Sequence, residues 1–220
     1  MMNSSRVGDE LSIRLQKLHS FYTNQAHIWD IGCDHGLLGS SFRPYPVDSI
    51  HLVDPSKPVI DKLLKNNIDS YITKPKVFIT HATGQSLTIP ERNNLIFIAG
   101  MGGKEIGEII THLLPQLDNT SKIVISPHRK ILELRARLHE LNLGLDDELV
   151  LQEGGQYYQI LSLIPGSVGP KVPLYGEKLW DSEVGELYRA HQLKNFATHQ
   201  DPISKGYWNF LKLRNSANLT

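Results

Sequence analysis

Cysteine is nearly missing from this chain: Cys33 stands alone among 220 residues. A single thiol allows no internal disulfide and no cysteine-built metal site, and it suits a reducing compartment. Charge imbalance is missing as well, with 23 Lys plus Arg against 23 Asp plus Glu. No global field therefore attracts a polyanion, and such a partner needs a local basic patch. No run reaches the roughly 18 apolar residues that suggest a membrane span, and the opening MMNSSRVGDELS lacks the apolar centre of a signal peptide. The expectation is a cytoplasmic protein with no membrane partner. The ten histidines form no H-E-x-x-H and no short paired spacing, so no metal site is expected. Internal repeats and low-complexity tracts are also lacking.

The composition, 40% hydrophobic and 21% charged, is that of an ordinary globular protein. Short apolar runs recur, each followed by turn residues and a helical pattern: HIWDIG, SIHLVDP, KVFITHA, NLIFIAGMGG and KIVISPH. Strands alternating with helices predict a parallel sheet covered on both faces. Ile106, Ile109, Ile110, Leu113 and Leu114 mark one helix face, and Ile131, Leu134, Leu138 and Leu141 a second. Leu11, Leu15 and Leu18 make a similar stripe on a leading helix. After Leu143 the pattern changes to two extended segments joined across Glu153-Gly154-Gly155-Gln156, a hairpin signal. The parallel sheet is thus expected to end in an antiparallel pair. PGSVGPKVP, 165–173, reads as a connector, and the chain from Glu177 to Leu213 reads as helical with a break at Asp201-Pro202. Its apolar side chains, Trp180, Leu187, Leu193, Phe196, Tyr207, Trp208, Phe210 and Leu211, are suited to burial.

The segment WDIGCDHGLLGSSF, from Trp29 to Phe42, carries glycines and two carboxylates directly after a strand. A glycine-bearing strand-to-helix turn usually holds a phosphate, because free N–H groups and the helix dipole favour an anion. Asp30 and Asp34 oppose that and favour a cationic or hydrogen-bond-donating ligand. Gly32-x-x-x-Gly36-x-x-Gly39 also misses the G-x-G-x-x-G spacing of a dinucleotide site. Asp54, at the end of HLVDP, is placed to accept bonds from a ribose diol, and Gly100, Gly102 and Gly103 leave a ledge without side chains after the fourth strand. S-adenosylmethionine has no phosphate and carries an ammonium and a sulfonium, so a methyltransferase is the preferred reading.

LSIRLQKL, WDIGCDHGLL, IAGMGG and EGGQYYQIL, in this order from Leu11 to Leu163, resemble the bacterial tRNA (adenine-22 N1)-methyltransferase family. The resemblance implies a class I, Rossmann-like methyltransferase with a seven-stranded, mostly parallel sheet whose last strand is antiparallel. It implies a methyltransferase domain over residues 1–164, a helical extension over 165–220, S-adenosylmethionine as cofactor, and tRNA as partner; the sequence does not fix the oligomeric state, and a monomer is the favoured expectation. The cofactor would meet Asp30, Gly32, Cys33, Asp34, Asp54, Pro55, Ala82, Thr83, Ala99, Gly100 and Met101. The substrate side would be Arg14, Gly102, Gly103, His128, Arg129, Lys130 and Tyr158, with Asp34 and His35 catalytic. This chain departs from the family at Gly36-Leu37-Leu38-Gly39, where A-Y-L-P is usual, at Ala82-Thr83-Gly84, where an acidic G-D-G-L turn is usual, and at Ser126-Pro127-His128, where Q-P-N is usual.

Each residue also has a structural reading. Asp30 could accept backbone bonds of its own turn. Asp34 could cap the following helix, and Asp54-Pro55 could be a cap with proline at the first helical position. Cys33 could simply pack. His128, Arg129, Lys130, Arg135 and Arg137 could grip phosphates or form a solvated face. A small-molecule methyltransferase and a non-catalytic tRNA- or nucleoside-binding protein are the competing functions.

Overall fold

The computed structural model describes residues 11–66, 75–90, 92–166, 169–199 and 201–217. The N-terminal ten residues and part of the expected connector lie outside these. Seven strands form one sheet: β1 (His27–Ile31), β2 (Ser49–Asp54), β3 (Lys76–His81), β4 (Asn94–Ala99), β5 (Lys122–Ser126), β6 (Leu143–Glu153) and β7 (Gln156–Pro165). Their order is β3-β2-β1-β4-β5-β7-β6. The first five are parallel, and β7 runs antiparallel to both β5 and β6, as the change of pattern after Leu143 predicted. Gly154 and Gly155 turn the hairpin with φ of 57° and 77°, the left-handed pair that a two-residue turn requires.

Alternation along the strands divides the core between the two faces. Ile31, Ile96, Ile98 and Ile125 pack under α4 (Gly103–Leu113) and α5 (Ile131–Glu140), whereas Ile28, Ile50, Leu95 and Phe97 pack under α1 (Ile13–His19), α2 (Leu37–Ser40) and α3 (Lys57–Asn66). Of the predicted stripe, Ile106, Ile109, Ile110 and Leu113 are on α4 and at most 1% exposed, whereas Leu114 opens the following 3-10 turn and is partly buried. Each fully buried side chain of the stripe contributes about 2 kcal/mol relative to exposure, as an upper bound. Trp29 stacks on His51 with ring centres 3.8 Å apart, and its indole N–H donates to Asn94 Oδ1 at 3.0 Å. The indole N–H thereby has its acceptor, and His51 Nε2 pairs with the Ser49 hydroxyl at 2.8 Å.

A third apolar cluster joins α5 and β6 to the C-terminal helices through Leu132, Val150, Leu179, Trp180, Tyr188, Tyr207 and Leu211. The two helices are α6 (Glu183–Phe196), capped by Ser182 through the Gly185 N–H, and α7 (Pro202–Ala217). Asp201 accepts from the Ser204 N–H at 2.9 Å, so the Asp-Pro break is an N-cap followed by proline at the first helical position. Leu187 departs from the expected burial and is 51% exposed. No helix among the described residues is long and apolar enough to cross a membrane.

Candidate active site

Because β1, β2, β4 and β5 are parallel, their carboxyl ends share one edge of the sheet. The order reverses between β1 and β4, and a crevice opens there. It is a cleft of 560 Å³ whose lining includes Asp30, Gly32, Cys33, Asp34, His35, Asp54, Pro55, Ala99, Gly100, Met101, Arg14 and His128. The loop after β1 is tied to β2: the Gly32 and Cys33 N–H groups donate to the Val53 carbonyl, and the Asp34 N–H donates to Asp54 Oδ2 at 3.1 Å. Gly32 has φ +74°, and a Cβ there would lie 2.0 Å from the Met101 methyl. Glycine is what lets the loops after β1 and β4 approach.

The carboxylates have three different environments. Asp30 is buried, accepts from the Gly39 N–H at 2.8 Å, and is pushed up to about 6 by burial, with the Gly39 bond opposing and nearby Asp54 reinforcing the shift. Asp54 is buried and accepts one backbone N–H on each oxygen, from Asp34 and from Ser56. The Asp34 side chain has no hydrogen bond among the described residues: it is 70% exposed and lies 3.6 Å from His35 Nε2, on a left-handed backbone with φ of 46°. It caps nothing, since Gly36 is the N-cap of α2. Nor is Asp54-Pro55 a helix start, because α3 begins at Lys57. Burial and the neighbouring aspartates push the Cys33 thiol up, so it packs as a neutral group.

The opposite wall is built from distant parts of the chain. Arg14 on α1 donates to His128 Nε2 at 2.9 Å and lies over the Tyr158 ring, 4.9 Å from its centre. Its backbone N–H donates to Glu153 Oε1, which seats α1 on the β6–β7 hairpin. Guanidinium groups only donate, so Nε2 is the acceptor and the proton of a neutral His128 sits on Nδ1. Partial burial and Arg14 both push the His128 pKa down. The loops after β4 and β5 are stitched together: the Gly103 N–H donates to the Arg129 carbonyl and the His128 N–H to the Met101 carbonyl.

Other predicted site residues lie elsewhere. Ala82 and Thr83 are outside the cleft lining, and the Thr83 hydroxyl donates to Ser86. The basic cluster disperses. Arg135 is fully buried, paired to Glu148 at 2.6 Å and bonded to Gln159, so it grips no external phosphate. Arg137 bonds Thr111 across the α4–α5 contact, and Lys130 pairs with Glu133 beside the C-terminal helices. Arg129 lines a separate pocket that shares His128 with the cleft. Sequence reasoning assigned no role to Leu15, Leu37, Leu38 or Glu105, which also line the cleft. Glu105 resembled any first-turn acid, and the leucines resembled core. Among the described residues no group of three or more potential ligands could hold a metal.

The family model described as a methyltransferase domain matches residues 11–161. The chain belongs to the methyltransferase-domain family. This methyltransferase-domain chain is 26% identical over 157 residues to the tRNA (adenine(22)-N(1))-methyltransferase of Bacillus subtilis, covering 69% of this chain and 64% of that protein. The chain thus spans somewhat less than two thirds of the relative's length. In fold it is similar to the crystal structure of the B. subtilis m1A22 tRNA methyltransferase TrmK, with a TM-score of 0.71, 18% identity, and coverage of 93% of this chain and 95% of that one. It is similar to M. capricolum TrmK in complex with S-adenosyl-homocysteine to the same degree, with a TM-score of 0.71, 18% identity and coverage of 94% and 95%.

Proposed function

We infer that this chain is an S-adenosylmethionine-dependent methyltransferase acting on N1 of an adenine in tRNA, at position 22 as in its B. subtilis relative. The observation that carries the reading is the cleft at the β1/β4 reversal, where three aspartates line a phosphate-averse site and one of them, Asp34, is left exposed. The residues fit the cofactor. Asp54 spends one acceptor position per oxygen on backbone and retains capacity for ribose hydroxyls, while the acidic lining favours the ammonium and sulfonium.

When bound, the cofactor supplies an electrophilic methyl group on a cationic sulfur. Adenine N1 has an in-plane lone pair, so the protein contributes alignment and exclusion of water. Methylation leaves positive charge on the base. Asp34 stabilises that charge or takes the proton lost from N6, with His35 as a second polar contact. Gly100 and Met101 give the base a face to rest on, whereas Gly102 and Gly103 of the expected ledge fall outside the cleft lining and Gly103 packs against the Lys130 backbone. N1 is occupied in a Watson–Crick pair, so the adenine must be presented unstacked. In this reading residues 1–164 are the methyltransferase domain and 165–220 a helical extension that holds tRNA, and the protein is a cytoplasmic monomer.

Methyl transfer from labelled S-adenosylmethionine to unmodified bacterial tRNA, followed by nucleoside analysis, tests the reading. 1-Methyladenosine that disappears in Asp34→Ala is the expected result. No incorporation with cofactor binding intact overturns the tRNA assignment.

A further inference from the structure

Behind the wall formed by His128 lies a second pocket of 430 Å³, bounded by the loop after β5, the β6–β7 hairpin and α6. Its size falls in the roughly 300–1,000 Å³ range of small-ligand sites. None of its lining residues is acidic. Arg129 lines it with no ion pair or side-chain hydrogen bond among the described residues. Tyr157 presents a partly exposed ring 5.3 Å from Tyr188 and 5.2 Å from His191. Gln192 is 9% exposed, and the carboxamide has only a 3.5 Å approach to His191 Nδ1. Its oxygen has no partner among the described residues. That oxygen is not sealed from solvent, so it is available to accept a hydrogen bond from a ligand in the pocket.

We propose that this pocket is a second nucleotide subsite, which takes a residue flanking the methylated adenine. The Arg129 guanidinium holds the phosphate between the two nucleotides, the flanking base stacks on Tyr157, and the Gln192 amide bonds the base edge. The chemistry of each group suits what it would hold. A fork of donors meets phosphate oxygens, an aromatic face meets a base, and an amide carrying donors and an acceptor meets a heterocycle edge. Position supports the assignment, since His128 lines both pockets and one strand passing it reaches both. The proposal rests on the tRNA reading and deepens it by placing specificity in the C-terminal helices as well as the cleft.

The test uses the full chain with unmodified bacterial tRNA, measuring binding across a salt series alongside steady-state methyl transfer. Arg129→Gln is expected to weaken tRNA binding by about fivefold to tenfold and to reduce the slope of log affinity against log salt by about 0.7–0.9, one phosphate contact. Tyr157→Leu and Gln192→Leu are each expected to raise the KM for tRNA by about tenfold, with kcat and S-adenosylmethionine affinity within twofold of wild type. Tyr157→Phe, which keeps the ring, restores binding and separates stacking from folding. Salt slope and KM unchanged in Arg129→Gln and Gln192→Leu overturn the subsite. Wild-type protein that binds S-adenosylmethionine but methylates no tRNA overturns the functional reading instead, so the two failures are distinguishable.

Discussion

The cleft at the ends of β1, β2 and β4 is lined by Asp30, Asp34, Asp54 and Glu105, with Arg14 as the one strongly basic side chain in its lining, whereas the pocket beneath α6 has Arg129 and no carboxylate. The two share His128, so opposite chemistry stands on either side of one imidazole. Global neutrality, 23 basic against 23 acidic side chains, conceals this arrangement. Balanced charge excludes a chain-wide field but says nothing about how loops at one sheet edge divide the signs. An acidic side suits a cationic cofactor and the cationic product base, and a cationic side suits phosphates.

The largest expected effect lies on the acidic side. Among the described residues the Asp34 carboxylate has no bond beyond the 3.6 Å approach to His35. Asp34→Ala should therefore lower kcat for tRNA methylation at saturating cofactor by about 100-fold or more, the scale of a positioned acid–base group, while alanine at the left-handed φ of 46° costs about 1 kcal/mol of stability. Wild-type turnover at saturating cofactor removes Asp34 from the chemistry and leaves the cleft as a binding site only.

Asp30 tests whether acidity in the cleft is held in the folded state at a cost. Its pKa rises to about 6 from 3.8, so between those values the folded chain keeps a proton that the unfolded chain releases. Its stabilising contribution is present below about pH 4 and lost as pH rises through 6. His51 acts in the opposite sense: burial and His27 push it down to about 4 from 6.5, so its contribution is present above 6.5 and lost as pH falls through 4. The wild-type profile combines both, and the difference between Asp30→Asn and wild type isolates Asp30. That difference should favour the variant increasingly from pH 4 to 7, by about 3 kcal/mol at most. A flat difference in thermal melts contradicts the buried, raised carboxyl.

The seam between the regions is Gly103. A Cβ there would lie 2.3 Å from the Lys130 carbonyl oxygen, and backbone cannot yield as a side-chain tip can. Gly103→Ala should cost about 2 kcal/mol in spite of alanine's better helix propensity. It should weaken cofactor and tRNA binding together, because the Gly103 N–H bond to the Arg129 carbonyl joins the loops that border both pockets. Loss of one affinity alone would mean that the pockets are built independently.

The sequence was most legible where periodicity and turn chemistry agree. The five parallel strands, the Gly154-Gly155 hairpin and the acidic loop after β1 follow from patterns of a few residues each. That Arg14, His128 and Tyr158 meet in one wall was not legible, although His128 stood out at a strand end, because Arg14 and His128 stand 114 residues apart and no local rule links them. The second pocket was illegible for the same reason: Arg129, Tyr157 and Gln192 come from three separate parts of the chain. Arg135 was misread because adjacency in sequence suggested a shared surface, whereas on α5 Arg135 turns inward to Glu148 and Lys130, just before it, turns outward to Glu133.

Lys130 gives the smallest effect and the sharpest boundary. It neighbours Arg129 in sequence, yet its ammonium pairs with Glu133 at 2.8 Å and lines a different depression with His199 and Asp201. If the cationic side of the comparison is the pocket and not the whole loop, Lys130→Ala should change tRNA affinity by less than about twofold and leave the salt slope intact, since an exposed, already paired lysine adds little. A loss equal to that of Arg129→Gln would extend the phosphate path over the loop toward α7. The contrast between the pockets would then be one of surfaces that run well beyond them.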